Sequence, residues 1–184
     1  MDRNTISKIQ NYMRQTLGSK NIKVEGRENK IDMLKELHFP HSVGLLYSSF
    51  TFYCGFKVNS GEYKLMGLAP YGDPIYSGLI KDNLLSINNK DGSFNLNLEY
   101  FDFVSGLKMT NQRFDKLLGR EPRKPESPLT QFDMDVAASI QQVTEEIVLK
   151  QTRYAQSLTG LRNICIAGGV ALNCVANGKL LKEN

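Results

Sequence analysis

One run of residues constrains this chain more than any other: a long helical repeat, a short apolar block, two adjacent glycines and a second helical repeat. Val136, Ile140, Val143, Ile147, Tyr154 and Leu158 recur at helical spacing, and Thr130-Gln131-Phe132-Asp133 ahead of them has the form of a helix start. Gly160 ends the repeat. Asn163-Ile164-Cys165-Ile166-Ala167 has the composition of a buried strand, Gly168-Gly169 turns the chain, and Val170 to Leu181 can run as the next helix. Helix, strand, glycine turn, helix is an α/β pattern, and in open sheets the turn after a strand is where ligands bind.

The rest of the chain must pack around that run. Its 184 residues, 41% hydrophobic and 23% charged, are of single-domain size, enough to bury roughly 70% of the unfolded surface. They are neither disordered nor fibrous in composition. Val43, Leu46, Tyr47, Phe50, Tyr53 and Cys54 repeat every three or four residues, so Val43–Cys54 is predicted as a helix, with Ser42 as N-cap and Gly55 as its stop. A short helix is expected at Glu62–Leu68. Leu84–Ile87 and Ser93–Tyr100, joined through Asp91-Gly92, read as a β-hairpin. Arg120 to Pro128, rich in proline and charge, reads as an exposed connection. Ile6, Ile9, Met13 and Leu17 have the spacing of a short surface helix within an otherwise polar first thirty residues.

Charge and cysteine usage narrow the function classes. Lys and Arg number 23 against 19 Asp and Glu, a net +4 scattered along the chain, which argues against a nucleic-acid partner. No apolar stretch approaches the ~18 residues a membrane span needs, so no membrane partner is expected. The start, Met1-Asp2-Arg3-Asn4-Thr5, lacks the apolar core of a signal peptide. Three widely spaced cysteines, Cys54, Cys165 and Cys174, read as reduced thiols of a cytoplasmic protein.

Two stretches carry the candidate chemistry. A glycine pair after a strand permits positive φ and lets a ligand approach where a Cβ would stand, and the helix that follows offers N–H groups to phosphate or a polar nucleoside edge. Asn173, in its first turn, can bond a ribose hydroxyl or a base; a plain tight strand–helix connection explains the glycines about as well. Gly61-Glu62-Tyr63-Lys64 through Gly72 offers a cation, a carboxylate and a phenol around turns, a mixture suited to an anionic substrate or, equally, to a solvated ion pair between capping glycines. The two histidines, His38 and His41, flank Pro40 with no third ligand nearby, so a structural role at the helix start outweighs metal binding. No cysteine has a neighbouring histidine to lower its pKa.

Three blocks then bring a family into view. Phe39-Pro40-His41-Ser42-Val43-Gly44-Leu45-Leu46-Tyr47, the run from Gly55 through Gly61-Glu62-Tyr63-Lys64-Leu65-Met66-Gly67-Leu68-Ala69-Pro70-Tyr71-Gly72, and Ala167-Gly168-Gly169-Val170-Ala171-Leu172-Asn173-Cys174-Val175-Ala176-Asn177-Gly178 closely resemble the carbamoyltransferases of nodulation-factor and antibiotic biosynthesis. The resemblance runs from about Gly26 to the end, leaving residues 1–25 as a divergent segment. It implies that residues 26–184 are a partial N-terminal domain of the actin-like, ribonuclease H-like superfamily of sugar kinases and chaperones, with an inserted β-hairpin.

In such enzymes, a C-terminal domain forms carbamoyl adenylate from carbamoyl phosphate and ATP. The actin-like domain passes the carbamoyl group to a hydroxyl of a small-molecule acceptor. The resemblance makes Gly168, Gly169 and Asn173 adenylate contacts and, more loosely, places Lys64 and Gly72 in a substrate-binding stretch. It also implies iron, held by a His-x-x-x-His pair before the Phe39 block and an Asp in a Gly-Asp-x-Gly stretch after Leu180; neither motif is in these 184 residues. Iron ligands, the adenylate-forming domain and activity are therefore expected to lie outside this stretch. A non-catalytic nucleotide-binding module and a relative of the tRNA threonylcarbamoyl-transfer proteins stay as alternatives.

Overall fold

The structure, a computed structural model, describes the backbone of residues 21–27 and 30–183 and the side chains of residues 32–183. The helix expected around Ile6 to Leu17 lies outside those residues. The first described elements are two strands, β1 (Asn21–Arg27) and β2 (Lys30–Leu37), paired antiparallel with a register shift between Lys23 and Val24. No strand is expected here from the sequence, because charged side chains mask the alternation of Ile22, Val24, Ile31 and Met33.

Helix α1 (Val43–Tyr53) is the hub of the body. Ser42 caps it by accepting from the Leu45 N–H at 3.3 Å, and Gly55 ends it at φ +74°. A helix apolar on most sides has nowhere to go but the interior. Two of its hydroxyls are satisfied within the helix: Ser49 donates to the Leu45 carbonyl at 2.8 Å and Thr51 to that of Tyr47 at 3.0 Å. Helix α2 (Glu62–Leu68) occupies the bounds expected of it, burying Leu65 and Leu68, and passes into a 3-10 turn at Ala69–Tyr71.

Helix α3 (Ser77–Asn83) leads into a small antiparallel sheet, β3 (Leu85–Ile87) and β4 (Phe94–Leu96). The expected hairpin is therefore present but shorter. Asn97 ends β4 by accepting from the Glu99 N–H, and Leu98–Tyr100 turns as a 3-10 helix instead of extending the strand. Helix α4 (Gln112–Leu118) brings Phe114 into an aromatic cluster, 5.2 Å from the rings of both Phe50 and Tyr53. Such pairs add to burial when edge-to-face or tilted.

The stretch expected to be an exposed connection is tied down at its arginines. Arg123 donates to the carbonyls of Tyr53 (backbone N, 2.9 Å) and Cys54 (Nε, 2.7 Å), and the Tyr53 hydroxyl donates to the Arg120 carbonyl at 2.6 Å. Arg120 also lies over the Phe132 ring and pairs with Asp133. Helix α5 (Gln131–Thr159) starts with the expected capping box of Thr130 and Asp133 and stops at Gly160 in the left-handed region. At ~1.5 Å per residue it runs more than 40 Å, and its face of Val136, Ile140, Val143 and Ile147 is wholly buried. Toward its end the face outruns the body, and Leu158 is exposed.

One element differs in kind from the sequence reading. Asn163–Ala167 is not a buried strand: residues 161–167 form no ladder and are exposed, Leu161, Ile164 and Ile166 included. A strand needs a neighbour to take its N–H and C=O groups, and among the described residues β1 pairs only with β2 and β3 only with β4. Among the described residues the chain is thus a mixed α/β body with small antiparallel sheets, and the strand that the helix–strand–turn–helix pattern pointed to is not formed. After the glycines, Gly169–Leu172 forms a 3-10 turn and Cys174–Glu183 is helix α6. No helix among the described residues is long and apolar enough to cross a membrane.

Candidate functional site

The N-terminal half of α1, the cleft-facing side of α2 and the glycine turn enclose a cleft of about 580 Å³, within the size range of small-molecule sites. Each wall follows from local sequence. Ser42, Tyr47 and Ser48 come from successive turns of α1; Glu62, Tyr63 and Met66 come from one side of α2; Ala167, Gly168, Gly169 and Val170 form the rim, with Thr144 and Asn173 beside them.

Gly168 takes φ +99°, which L side chains rarely adopt, and a Cβ built on either Gly168 or Gly169 would meet no atom within 4 Å. Those positions face open space, so a ligand can approach the backbone closely there. The following N–H groups are less free than the sequence suggested. Ala171 N–H bonds the Gly168 carbonyl at 3.1 Å, and Asn173 itself caps α6 by accepting from the Ala176 N–H at 3.0 Å.

Asn173 is buried and its amide is paired. It exchanges two 3.0 Å hydrogen bonds with the amide of Gln141 on α5, and the Gln141 Oε1 also accepts from the Tyr47 hydroxyl at 3.0 Å. One N–H of the Asn173 amide is left after this count. Burial pushes the Tyr47 hydroxyl far above the ordinary phenol range, with charges at Cys54, Glu145 and Glu62 adding to the shift. Tyr47 is therefore a neutral donor that fixes the orientation of the pair.

Glu62 supplies the single carboxylate among the described residues lining the cleft. Ser48 Oγ donates to its Oε1 at 2.8 Å, the Asn59 N–H to the same oxygen at 2.8 Å, and the Gly61 N–H to Oε2 at 3.1 Å. Asn59, at φ +65°, folds the 57–61 turn around this carboxylate. Among the described residues the lining includes no lysine, arginine or histidine.

The structure thus brings Gly168, Gly169 and Asn173 together on one cleft and leaves Lys64 and Gly72 away from it. Lys64 is exposed on another side of α2. At Gly72 a Cβ would overlap the backbone of Met134, and the next residues are sewn to α5 by Asp73 N–H to Asp135 (2.9 Å) and Tyr76 N–H to Ser139 (2.9 Å). Gly72 is a packing residue of that seam. Gln141 and Thr144 were missed, although their spacing of three on a helix puts them on one face.

The other reactive groups are committed elsewhere. Burial raises the Cys54 thiol to about 12, so it is no nucleophile; Cys165 and Cys174 are exposed. His41 Nδ1 accepts from the Leu96 N–H at 3.0 Å, pinning β4 to the start of α1, and His38 pairs with Glu36. Among the described residues no three His, Cys, Asp or Glu side chains converge. The residues present do not fit the iron that the resemblance implies.

Comparison with known proteins accords with the motifs on these walls. The family described as Carbamoyltransferase N-terminus matches residues 19–184. The chain is 61% identical over 158 residues to the uncharacterized Synechocystis protein sll1178, covering 86% of this chain and 26% of that protein. It is 36% identical over 148 residues to nodulation protein NolNO of Sinorhizobium fredii, covering 79% and 20%. It is also 36% identical over 145 residues to nodulation protein NolO of Bradyrhizobium diazoefficiens, covering 77% and 23%. The chain spans about a quarter or less of the length of these relatives. Motif, cleft and similarity agree: the chain belongs to the carbamoyltransferase N-terminus family.

Proposed function

We propose that this chain is the acceptor-side lobe of an O-carbamoyltransferase, with the cleft between α1, α2 and the glycine turn holding the adenylate part of carbamoyl adenylate. The observation that carries the reading is the Gly168-Gly169 rim of the cleft, where a Cβ would stand in open space. Bound carbamoyl adenylate supplies an activated carbonyl whose leaving group is adenosine monophosphate. The residues of this chain bind and orient. Gly168 and Gly169 admit the ligand to the backbone, the remaining Asn173 N–H is left to bond it, and the Gln141 amide with the Tyr47 hydroxyl keeps Asn173 in place. Much of such catalysis comes from positioning.

On this reading ATP and carbamoyl phosphate feed an adenylate-forming domain elsewhere in the protein, and the acceptor is a hydroxylated small molecule. The test is transfer from carbamoyl phosphate and ATP to a hydroxyl acceptor by a protein that joins this chain to such a domain. Wild type is expected to turn over, and Gly169→Val to lose activity while folding normally. Turnover by Gly169→Val at the wild-type rate overturns the assignment.

A further inference from the structure

We propose that residues 161–167 pair antiparallel with the same run of a second copy of this chain, about a two-fold axis through Cys165. Among the described residues, none of the backbone N–H or C=O groups of residues 162–167 has a hydrogen-bond partner, and residues 161–169 are all exposed. A row of unpaired backbone groups on an apolar segment is a template for another strand. Seven of the sixteen exposed large apolar side chains among the described residues fall from Leu158 to Leu181. Apolar exposure is thus concentrated on this part of the chain, and such concentration marks interaction surfaces.

The order of residues in the run selects the second copy and sets the register. A two-fold interface must be self-complementary, each residue receiving from the other copy what it gives. Ile164-Cys165-Ile166 reads the same from both ends. In the antiparallel register centred on Cys165, Ile164 stands opposite Ile166 of the second copy, Asn163 opposite Ala167, and Cys165 opposite itself. Side chains alternate along a strand, so the four isoleucines of the two copies share one face. Arg162 carries the single charge of residues 161–167. This register sets it opposite Gly168, about 20 Å from its counterpart at 3.4 Å per residue. A parallel pair in register would set arginine against arginine, which is unfavourable. A stable dimer buries about 800 Å² on each partner. The ladder is part of that area, and Leu158, Leu172, Val175 and Leu181 on the flanking elements are exposed for the rest.

The experiment follows the mass of the full chain by sedimentation equilibrium over a range of concentrations, for wild type, Ile164→Lys, Ile166→Glu and the variant carrying both changes. Both isoleucines are exposed in the single chain, so circular dichroism of the dilute variants should match wild type. Wild type is expected to pass from monomer to dimer as concentration rises. Each single variant sets a charge against isoleucine twice per dimer and weakens association by about tenfold or more. The double variant sets opposite charges across the same two pairs and regains association. The thiol gives a second readout in a Cys174→Ser background. Opposed residues of an antiparallel pair have Cα atoms about 4.5–5.5 Å apart, within disulfide reach. Diamide, reduced to its hydrazine as two thiols join, should therefore link two chains through Cys165, and less so in either single variant. A wild type that stays monomeric at every concentration would overturn the proposal. If its Cys165 is also shielded from a maleimide, residues 1–20 of the same chain cover the run instead. A dimer that neither single variant weakens uses another surface and overturns it too, as does a loss that the double variant fails to restore.

Discussion

At Gly72 and at Gly168 the same residue type answers two different demands. Gly72 has no room for a Cβ, because the backbone of Met134 and Asp135 passes against it; Gly168 has room to spare but a backbone angle that disfavours one. Gly72→Ala is therefore expected to destabilise the fold by about 1–3 kcal/mol, the range of overpacking in a tight contact. A fall in the denaturation midpoint with the slope unchanged is the signature, and a midpoint equal to wild type would remove Gly72 from the seam. From sequence both glycines look like ligand residues, since a motif records which residue is needed and not what stands opposite. Asn173 is similar. Its place beside the cleft was legible, but its pairing with Gln141, 32 positions away, was not. Truncating Asn173 would strand the Gln141 amide, so lost binding in that variant would mix stability with contact.

Helices were legible wherever caps and period agree. α1 and α5 carry their own start and stop signals in Ser42, Gly55, Thr130, Asp133 and Gly160, and α2 lies between two turns. The start of α5 also carries a charge. Burial alone would raise the Asp133 carboxyl, but hydrogen bonds from the Arg120 guanidinium and from Thr130 hold it below the ordinary aspartate value. A depressed carboxyl contributes stability that is present above the unfolded pKa, near 4, and is lost as pH falls through the lower folded value. Denaturant titrations of wild type and Asp133→Asn should show a constant stability difference from pH 7 to about 5 that shrinks steadily below 4. A difference independent of pH would show that the carboxylate charge does not matter there. The arginine side of this pair was invisible in the sequence, where Arg120 reads as part of a solvated proline-rich run.

For the whole molecule, the sequence pattern and the described fold part company at one place. Residues 161–167 have the composition of a central strand and the exposure of a surface segment, and α5 carries exposed Leu158 toward them. Burial of a strand depends on partners far away in sequence, whereas a helix satisfies its own backbone; hence α1, α2 and α5 and the local β3–β4 hairpin were legible, while the strand expected at Asn163–Ala167 did not form. The chain covers about a quarter or less of the length of these relatives. The direct measurement is calorimetric titration of adenosine monophosphate into the full chain and into Gly169→Val, where a side chain on the cleft rim would stand in open space without forcing the backbone. The account predicts binding by wild type and a loss of about tenfold or more in the variant, at an unchanged melting temperature. Equal affinity in the two proteins, or no binding by wild type, would contradict it.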